Sequence, residues 1–391
     1  MLSTQTRTAV AGLASAVLSL RPLIDRLDEP VAVAPASPGA QRVLDRVAGR
    51  LGAPRFAPLA SSAADTAPAG LDTFGAAVSR RLDLAAREHL LDELADDRLA
   101  AVDLVVDEIA ADDFAAFCTP ATVRGPDGAT VRAYAAGDPR APAVVIASAC
   151  GMPVRLAESW IRRLAADYFV LTWESRGLFG DDLEDFDGAT GVAAQCGDLF
   201  AVMDHFGVAS AHVAGLCGGA VLALAAAAER PRRISSLSLW HGDFEVGDDT
   251  LKTDHQRNLQ ALMNLAVTAP MGAAGVHAVL CQSMASATPL DLAHLVLYPY
   301  ATPELLRRYC LLNGAIMQAD ARPWLAAVKQ PTLVVTSADD STAHPAGSRF
   351  AAAALSGARL LVLPHGDHIS LFRGDPGLLD TAAGFIADPR V

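Results

Sequence analysis

The sequence predicts an α/β fold in which a mostly parallel β-sheet is covered by helices on both faces. From about residue 120 onward, apolar runs typical of buried strands alternate with helical stretches, as in proteins with a parallel sheet. Before that point the periodicity is helical, and a long helical segment interrupts the alternation between the fourth and fifth strands. We therefore predict an N-terminal helical region, residues 1–120, and an α/β domain, residues 121–391, with a helical cap insertion at about 245–328.

The predicted strands are continuous apolar runs, which is the pattern of strands that are buried on both faces. In chain order they are APAVVIASA, YFVLTWES, SAHVAGL, ISSLSLW, PTLVVTS and ARLLVLP. Helical stretches separate them, such as AESWIRRLAADY, TGVAAQCGDLFAVMDHFG and GAVLALAAAAERP. Because an insertion after the fourth strand would lie at the carboxyl edge of the sheet, where ligands bind in such folds, we expect the cap to cover the ligand site.

The N-terminal region is predicted to be helical and carries no catalytic motif. Leu13, Val17, Leu20 and Ile24 recur at the spacing of one helix face. The stretches EPVAVAPASPGA and APLASSAADTAPAG are rich in Pro, Ala, Gly and Ser and are interpreted as loops or flexible connectors. The region could form a cap, a dimer interface or a docking surface, so a homodimer is left open.

Charge and cysteine content argue against several classes of function. The 391-residue chain has a formal net charge of −13 with no compensating run of Lys and Arg, which argues against nucleic-acid and anionic-membrane binding. Its six cysteines are scattered without a CxxC pair, so we expect neither a zinc framework nor a disulfide scaffold. This use of cysteine predicts a cytoplasmic location. The apolar segment from Ala9 to Leu20 is too short to span a membrane and lacks a cleavage site, so it is interpreted as an amphipathic helix.

The stretch HVAGLCGGAVLALA, from His212 to Ala225, places a cysteine at a predicted strand-to-helix junction. Gly-x-nucleophile-x-Gly at such a junction is a nucleophile elbow, in which the flanking small residues let the strand and the helix approach each other. Gly215 and Gly219 meet this requirement, and Cys217 occupies the nucleophile position. The helix N-terminus would favour the thiolate form of this cysteine. The alternative is a small buried thiol at a tight bend.

Two further loops support the nucleophile interpretation. The loop LVLPHGDHISLF follows the last predicted strand and offers His368 as the general base, with His365 as the weaker candidate. A tetrahedral oxyanion needs backbone N–H donors close to the nucleophile. Gly218, directly after Cys217, would provide one donor, and Met152, in the loop after the first predicted strand, would provide the other.

Together these motifs resemble those of the α/β-hydrolase superfamily over the second two-thirds of the chain. SACGMP stands where that superfamily usually has a His-Gly-x-Pro loop, and LTWESRGLFG stands where it usually has Asp-x-Arg-Gly-x-Gly at a strand end. GLCGG matches the nucleophile elbow, and PHGDH matches the loop that carries the histidine. The chain departs from this pattern at Cys150 in place of histidine, Glu174 in place of aspartate and Cys217 in place of serine. The resemblance implies the α/β-hydrolase fold and a nucleophile–histidine–acid triad without a cofactor or a metal ion.

Two carboxylates compete for the place of the triad acid. Asp340, in LVVTSADDSTAHP after the fifth strand, matches the usual acid loop of the superfamily, with Asp339 beside it. Asp243, in LSLWHGDF, stands where thioesterases that release polyketides and peptides take their acid. Either carboxylate could orient His368 and stabilise its imidazolium form. The acidic stretch GDDLEDFDG has no nearby histidine and is interpreted as a solvated loop rather than a metal site.

A cysteine nucleophile changes the expected reaction. An acyl thioester, either a small molecule or bound to a carrier protein, can pass its acyl group to Cys217 with little change in free energy, and the acyl enzyme stays activated. Among α/β-hydrolases with this nucleophile, the chain resembles the Dieckmann cyclases of natural-product biosynthesis more than dienelactone hydrolases or polyhydroxyalkanoate synthases. This resemblance implies C–C bond formation or cyclisation. The alternatives are a hydrolytic thioesterase or esterase, and a non-catalytic ligand-binding homologue.

Overall fold

The chain forms two compact units. A computed structural model describes residues 2–59, 71–94, 98–180, 186, 188–268 and 272–389. Unit 1 comprises Met1–Phe117 and Ala278–Thr302, and unit 2 comprises Cys118–His277 and Pro303–Val391. The insertion expected at about 245–328 is therefore divided, because its middle part groups with the N-terminal helices while its two ends belong to unit 2.

Helices and strands follow one another along both units. Up to residue 117 they are α1 (Thr4–Ile24), β1 (Val31–Val33), α2 (Pro38–Arg50), β2 (Phe56–Pro58), α3 (Thr73–Leu82), α4 (Leu84–Asp92), α5 (Leu99–Ala111) and α6 (Phe114–Phe117). Then follow β3 (Thr119–Arg124), β4 (Thr130–Ala136), β5 (Ala143–Ala147), α7 (Glu158–Leu164), β6 (Phe169–Trp173), α8 (Val192–His205), β7 (Ala211–Leu216), α9 (Gly219–Glu229) and β8 (Ile234–Trp240). The remainder comprises α10 (Asp254–Thr268), α11 (Gly272–Ala287), α12 (Ala293–Val296), α13 (Pro303–Met317), α14 (Arg322–Ala327), β9 (Thr332–Ser337), α15 (Pro345–Ala354), β10 (Arg359–Leu363) and α16 (Pro376–Ala387).

Helix α1 is the central helix of unit 1. Ser3 caps its N-terminus by accepting a hydrogen bond from the Thr6 N–H. The face predicted from the spacing of Leu13 to Ile24 is fully buried, and α1 contacts α2, α3, α4, α5 and α12. Among the described helices, α1 alone is long and apolar enough to cross a membrane. More than half of its most apolar stretch is buried inside the protein. Its packing is that of a core helix.

One stretch interpreted as a connector contains regular structure. EPVAVAPASPGA includes β1, which pairs in parallel with β2, and the first turn of α2. Ser37 caps α2 by accepting from the Ala40 N–H, and Pro38 occupies the first turn, where a backbone N–H has no partner within the helix. The loop interpretation is therefore wrong for this stretch. In the second stretch, APLASSAADTAPAG, residues 60–70 lie outside the described residues.

The described part of unit 2 is built on an eight-stranded sheet in the order β10-β9-β8-β7-β5-β6-β4-β3. The six predicted strands correspond to β5 to β10, and every pair among them is parallel. Strands β3 and β4 add an antiparallel hairpin at one edge, which the sequence did not predict. The prediction of a mostly parallel α/β sheet is confirmed.

The middle of the sheet is buried by helices on both of its faces. Every residue of β6 and β7 is buried, and α9 is buried from Gly219 to Ala227. Helices α8 and α9 contact each other and the strands β5 to β8, while α7 contacts β6 and α16. The parallel strands all end at one edge of the sheet, so the residues that follow β7, β8, β9 and β10 are brought together there.

Candidate active site

Cys217 lies in the turn between β7 and α9, at the carboxyl edge of the sheet. Its φ angle of 56° is a left-handed conformation, which is strained for a residue with a side chain and is concentrated at functional sites. The Cys217 N–H donates to the Trp240 carbonyl at 2.9 Å, which continues the pairing of β7 with β8. The residue is half-buried, so its thiol stands at the strand end rather than inside the core.

The two glycines predicted to flank the elbow allow this close turn. A Cβ atom on Gly219 would lie 1.9 Å from the Ala147 carbonyl oxygen, and a Cβ atom on Gly215 would lie 2.5 Å from Ala220 Cα. Real side chains cannot make such contacts, so α9 can begin this close to β5 and β7 only where both positions lack a side chain. The steric requirement of the elbow motif is therefore met in the fold.

His368 and Asp340 form a buried pair at the same sheet edge. The Nδ1 atom of His368 donates to Asp340 Oδ2 at 3.0 Å, and the two side chains are 3% and 0% exposed. The other carboxylate oxygen, Oδ1, accepts from the backbone N–H groups of Thr342 and Ala343, each at 2.9 Å. These backbone donors fix the orientation of the carboxylate, and the carboxylate in turn fixes the imidazole of His368.

A second histidine, His241, binds the same carboxylate oxygen. It follows β8 directly, with a φ angle of 51°, and its Nδ1 donates to Asp340 Oδ2 at 2.8 Å. The rings of His241 and His368 meet edge to face, with centroids 5.7 Å apart. The sequence prediction does not include His241, although this residue stands in LSLWHGDF, the same strand end as Asp243. Its position directly after a buried strand was the signal that could have identified it.

His368 interacts with two groups that favour its charged form, Asp340 and Cys217. Burial lowers the pKa of His368, but its interactions with Cys217 and with the Asp340 carboxylate raise the pKa well above the ordinary value. Burial also raises the pKa of Asp340, but hydrogen bonds from His241 and His368 bring it far below its usual range. Since Nδ1 of His368 is engaged with Asp340, Nε2 is the nitrogen left to exchange a proton with the Cys217 thiol. Nε2 is buried and makes no hydrogen bond of ordinary geometry within the described residues.

Asp243, the competing acid, does not bond to His368. Its Oδ1 accepts a short hydrogen bond from Gln256 Nε2, on helix α10. Burial raises the pKa of Asp243 to about 6, while the Gln256 hydrogen bond and the charge of His368 lower it. His255, the neighbour of Gln256, also lies within electrostatic range of His368 and Asp340, and burial lowers its pKa. Helix α10 therefore contributes two polar residues to this region, Gln256 and His255, that sequence reasoning did not identify.

His365, the other histidine in the loop after β10, is exposed and has a different partner. His365 Nδ1 lies 3.0 Å from Asp339 Oδ2, and the His365 side chain is 88% exposed. His365 and Asp339 thus form a solvated surface pair, where an ion pair contributes little to stability. The structure brings together Cys217, His368 and Asp340, and leaves these two neighbours outside the cluster.

The two predicted oxyanion donors lie in different surroundings. Gly218 is the first residue after Cys217 and precedes α9, with φ of −57° and ψ of −26°. The Met152 N–H donates to the Ala149 carbonyl at 3.3 Å, which is long for such a bond, so this donor has a weak partner of its own. Asn313 of α13 also approaches the elbow, since its Oδ1 would lie 3.5 Å from a Cβ atom on Gly218.

Glu174, which stands in place of the expected aspartate, ties the loop after β5 to the sheet. Its side chain is buried at the end of β6, and its Oε2 accepts from the Val154 N–H at 3.0 Å. Burial raises the pKa of Glu174 from 4.5 to about 8, so the folded protein keeps this carboxyl group protonated at neutral pH.

Glu174→Gln is expected to remove one source of pH-dependent stability. Because the folded-state pKa lies above the unfolded value, this group stabilises the fold fully below pH 4.5, and the contribution is lost as pH rises to about 8. Relative to the variant, the wild type should lose more than about 2 kcal/mol of unfolding free energy between pH 5 and pH 8. Urea unfolding of both proteins across this range measures the difference. If the difference in unfolding free energy between wild type and variant stayed constant from pH 5 to pH 8, the prediction would be wrong.

The His241, Asp340 and His368 side chains could also be considered as metal ligands. Their ligand atoms lie within 4.8 Å of one another. In the structure the same atoms are joined by the two histidine–carboxylate hydrogen bonds, which an ion would have to replace. The acidic stretch GDDLEDFDG lies mostly outside the described residues, namely at residues 181–185 and 187.

Comparison with known proteins identifies similar folds and relatives. A family model described as alpha/beta hydrolase fold matches residues 142–375. RutD of Klebsiella pneumoniae subsp. pneumoniae, for which a carbamate hydrolase activity has been proposed, is 25% identical over 236 residues, covering 59% of this chain and 85% of RutD. An L-allo-isoleucyltransferase of Pseudomonas savastanoi pv. glycinea is 28% identical over 176 residues, covering 44% of this chain and 61% of that protein.

Solved structures with a similar fold include enzymes of different activities. An enol-lactonase from Burkholderia xenovorans LB400 aligns with a TM-score of 0.55 at 22% identity, covering 69% of this chain and 100% of that one. The haloalkane dehalogenase DbeA from Bradyrhizobium elkani aligns with a TM-score of 0.58 at 20% identity, covering 70% and 98%. At this level of identity the likeness concerns the fold and does not assign a reaction.

Proposed function

This chain belongs to the alpha/beta hydrolase fold family, and we propose that it is a cysteine-dependent hydrolase that cleaves acyl thioesters or esters through an acyl enzyme on Cys217. The observation that carries the proposal is the elbow itself. Cys217 stands there in a strained left-handed conformation, interacting with a histidine whose other nitrogen is bonded to a buried carboxylate. A nucleophile, a base and an orienting acid are the parts that covalent acyl hydrolysis requires.

In the first half of the reaction, His368 Nε2 takes the proton of the Cys217 thiol and Sγ attacks the acyl carbonyl carbon. Asp340 stabilises the imidazolium that forms. The developing oxyanion accepts hydrogen bonds from the N–H groups of Gly218 and Met152, the latter giving up its long bond to the Ala149 carbonyl. When the tetrahedral intermediate collapses, the bond to the leaving thiol or alcohol breaks and His368 returns the proton to it.

In the second half, water attacks the thioester of Cys217. His368 Nε2 removes a proton from this water, and the second tetrahedral intermediate is bound at the same N–H groups. Its collapse breaks the Sγ–acyl bond, releases the acid and returns the proton to Cys217. The net reaction consumes one acyl ester or thioester and one water, and it forms one acid and one thiol or alcohol.

The proposed substrates are acyl thioesters, as small molecules or bound to a carrier protein. Transfer of an acyl group from a thioester to Cys217 exchanges one thioester for another, so the first half-reaction is nearly balanced in free energy. A serine at this position would form the more stable oxoester. We also propose a cytoplasmic location, which the six unpaired cysteines support.

Acyl transfer is the second candidate. It is favoured by the likeness to an L-allo-isoleucyltransferase, whose name describes the transfer of an aminoacyl group, and by the activated thioester that Cys217 would form. In this case a thiol or amine, rather than water, attacks the acyl enzyme. Dieckmann-type cyclisation, expected from the sequence, has no support among the relatives compared and stays a prediction.

Intact-mass measurements with short acyl N-acetylcysteamine thioesters test the proposal. The wild type is expected to gain the mass of one acyl group, and this adduct should decay at the rate at which free acid appears. Addition of pantetheine distinguishes transfer, because acyl-pantetheine would then form at the expense of the acid. A cyclic product would support the Dieckmann reaction, and the absence of an adduct with every thioester, at early quench times, would contradict the acyl-enzyme mechanism.

A further inference from the structure

Asp243 is a second carboxylate at the site that the proposed triad does not use. It lies three residues beyond the end of β8, next to the strand that leads to Cys217, at the edge where the catalytic residues meet. It is partly buried and lies close enough to His368 for the two charges to interact. Since His368 Nδ1 is already bonded to Asp340, the hydrogen-bonding capacity of Asp243 is available for something else.

Gln256 holds the Asp243 carboxylate in one orientation. The Gln256 side chain is 5% exposed, and its Oε1 accepts from the N–H groups of Thr253 at 2.8 Å and His344 at 2.9 Å. These two donors fix which end of the amide is oxygen, so Nε2 must face Asp243, where it donates to Oδ1. The position of the carboxylate is therefore set before any ligand arrives.

The second carboxylate oxygen of Asp243 is unoccupied by protein donors. Within the described residues, no hydrogen bond or ion pair reaches Oδ2. Lys252 also acts electrostatically on Asp243, but its Nζ is paired with the carboxylates of Glu245 and Asp249. A pre-oriented carboxylate with one open oxygen, within electrostatic range of His368, has the chemistry to bind a cation.

We propose that Asp243 binds a protonated amine of the acyl group, so that the substrates are aminoacyl thioesters or esters. This inference rests on the proposed function, because the acyl group must reach Cys217. The ammonium group donates to Asp243 Oδ2, and Gln256 keeps the carboxylate in place. A bound ammonium group stabilises the charged carboxylate, whose pKa of about 6 already keeps it mainly ionised above pH 7.

The test measures thioester binding to a variant that cannot convert the thioester. Calorimetric titration of Cys217→Ala uses two matched pairs of N-acetylcysteamine thioesters, 2-aminobutyryl against 2-methylbutyryl and β-alanyl against butyryl, in which a methyl group replaces the ammonium group. We expect about 10- to 100-fold tighter binding of the amine in at least one pair, as for a hydrogen bond to a charged group. The pair that shows the preference gives the distance of the amine from the carbonyl.

Asp243→Asn, added to Cys217→Ala, is expected to remove this preference while leaving the affinity for the methyl analogue unchanged. Asn has the shape of Asp and can still accept from Gln256, and a thermal-unfolding scan checks that the variant folds. The matched control is Asp138→Asn, which removes one negative charge from an exposed carboxylate that is paired with Arg140. This control should keep the amine preference.

Two outcomes of the binding experiment would overturn the inference: equal affinity for amine and methyl analogues in both pairs, or an amine preference that survives Asp243→Asn. With the catalytic cysteine present, an equal loss of turnover for both analogues in Asp243→Asn would also overturn it, since it would assign Asp243 to the reaction itself. Failure of the proposed function is distinguishable, because the wild type would then form no acyl enzyme while the binding measurements stay valid.

Discussion

Cys217→Ala is expected to lower kcat/KM by about 10⁴-fold or more with any substrate of the enzyme, as the loss of a covalent nucleophile does elsewhere. The acyl adduct seen by intact mass should disappear at the same time. No other described cysteine offers a substitute. Cys150, the thiol that interacts with Cys217 in the structure, is fully buried, and burial raises its pKa to about 12. Such a thiol does not form the nucleophilic thiolate near neutral pH.

Cys118→Ala is the matched control for this experiment. Cys118 is a buried cysteine directly before β3, and burial raises its pKa to about 12. The control should keep both the adduct and the turnover, and peptide mapping should locate the adduct on Cys217. Cys217→Ser adds a second comparison, since it keeps the elbow but would form an oxoester. An adduct that persists in Cys217→Ala would show that another residue is the nucleophile.

The parallel part of the sheet could be predicted because β5 to β9 are almost entirely buried and consist of nearly unbroken apolar residues, a pattern that the less buried edge strand β10 shares. The hairpin of β3 and β4 could not, since β3 is largely exposed at the sheet edge and β4 begins with alternating exposed and buried residues. The short strand β1 could not be predicted either, because it lies in a stretch rich in proline and alanine. The grouping of residues 278–302 with unit 1 depends on contacts between distant parts of the chain, which no local pattern reports.

The positions of Cys217 and His368 at the carboxyl edge of the sheet could be predicted because each residue lies in a local motif. The elbow requires glycines at fixed spacing, and His368 stands in the loop after the last strand. The choice between Asp340 and Asp243 could not be made, since both follow strands that end at the same edge. What distinguishes the two carboxylates in the structure comes from other elements: the backbone donors after Asp340 orient that carboxylate toward His368, and Gln256 of α10 holds Asp243.

Asp340→Asn is expected to lower kcat by about 10³- to 10⁴-fold, with little effect on the first binding step. The reason is the orientation that the side-chain amide of the new asparagine must adopt. The N–H groups of Thr342 and Ala343 both point at one side-chain oxygen, so they select the carbonyl oxygen of the new asparagine. Its NH₂ group then faces His368 Nδ1 and makes that nitrogen an acceptor. The proton moves to Nε2, and the histidine can no longer take the proton of Cys217.

Asp243→Asn provides the comparison, because it alters the other candidate acid by the same chemistry. With substrates that lack an amine, it should change kcat by no more than about threefold, the effect of a small change in the pKa of His368. A pH–rate profile separates the two variants further, since only Asp340→Asn should change the titration of His368 strongly. If Asp243→Asn were the more damaging substitution with such substrates, Asp340 would not be the triad acid. The hydrogen bond that His368 donates to Asp340 would then serve to hold the loop after β10 in place.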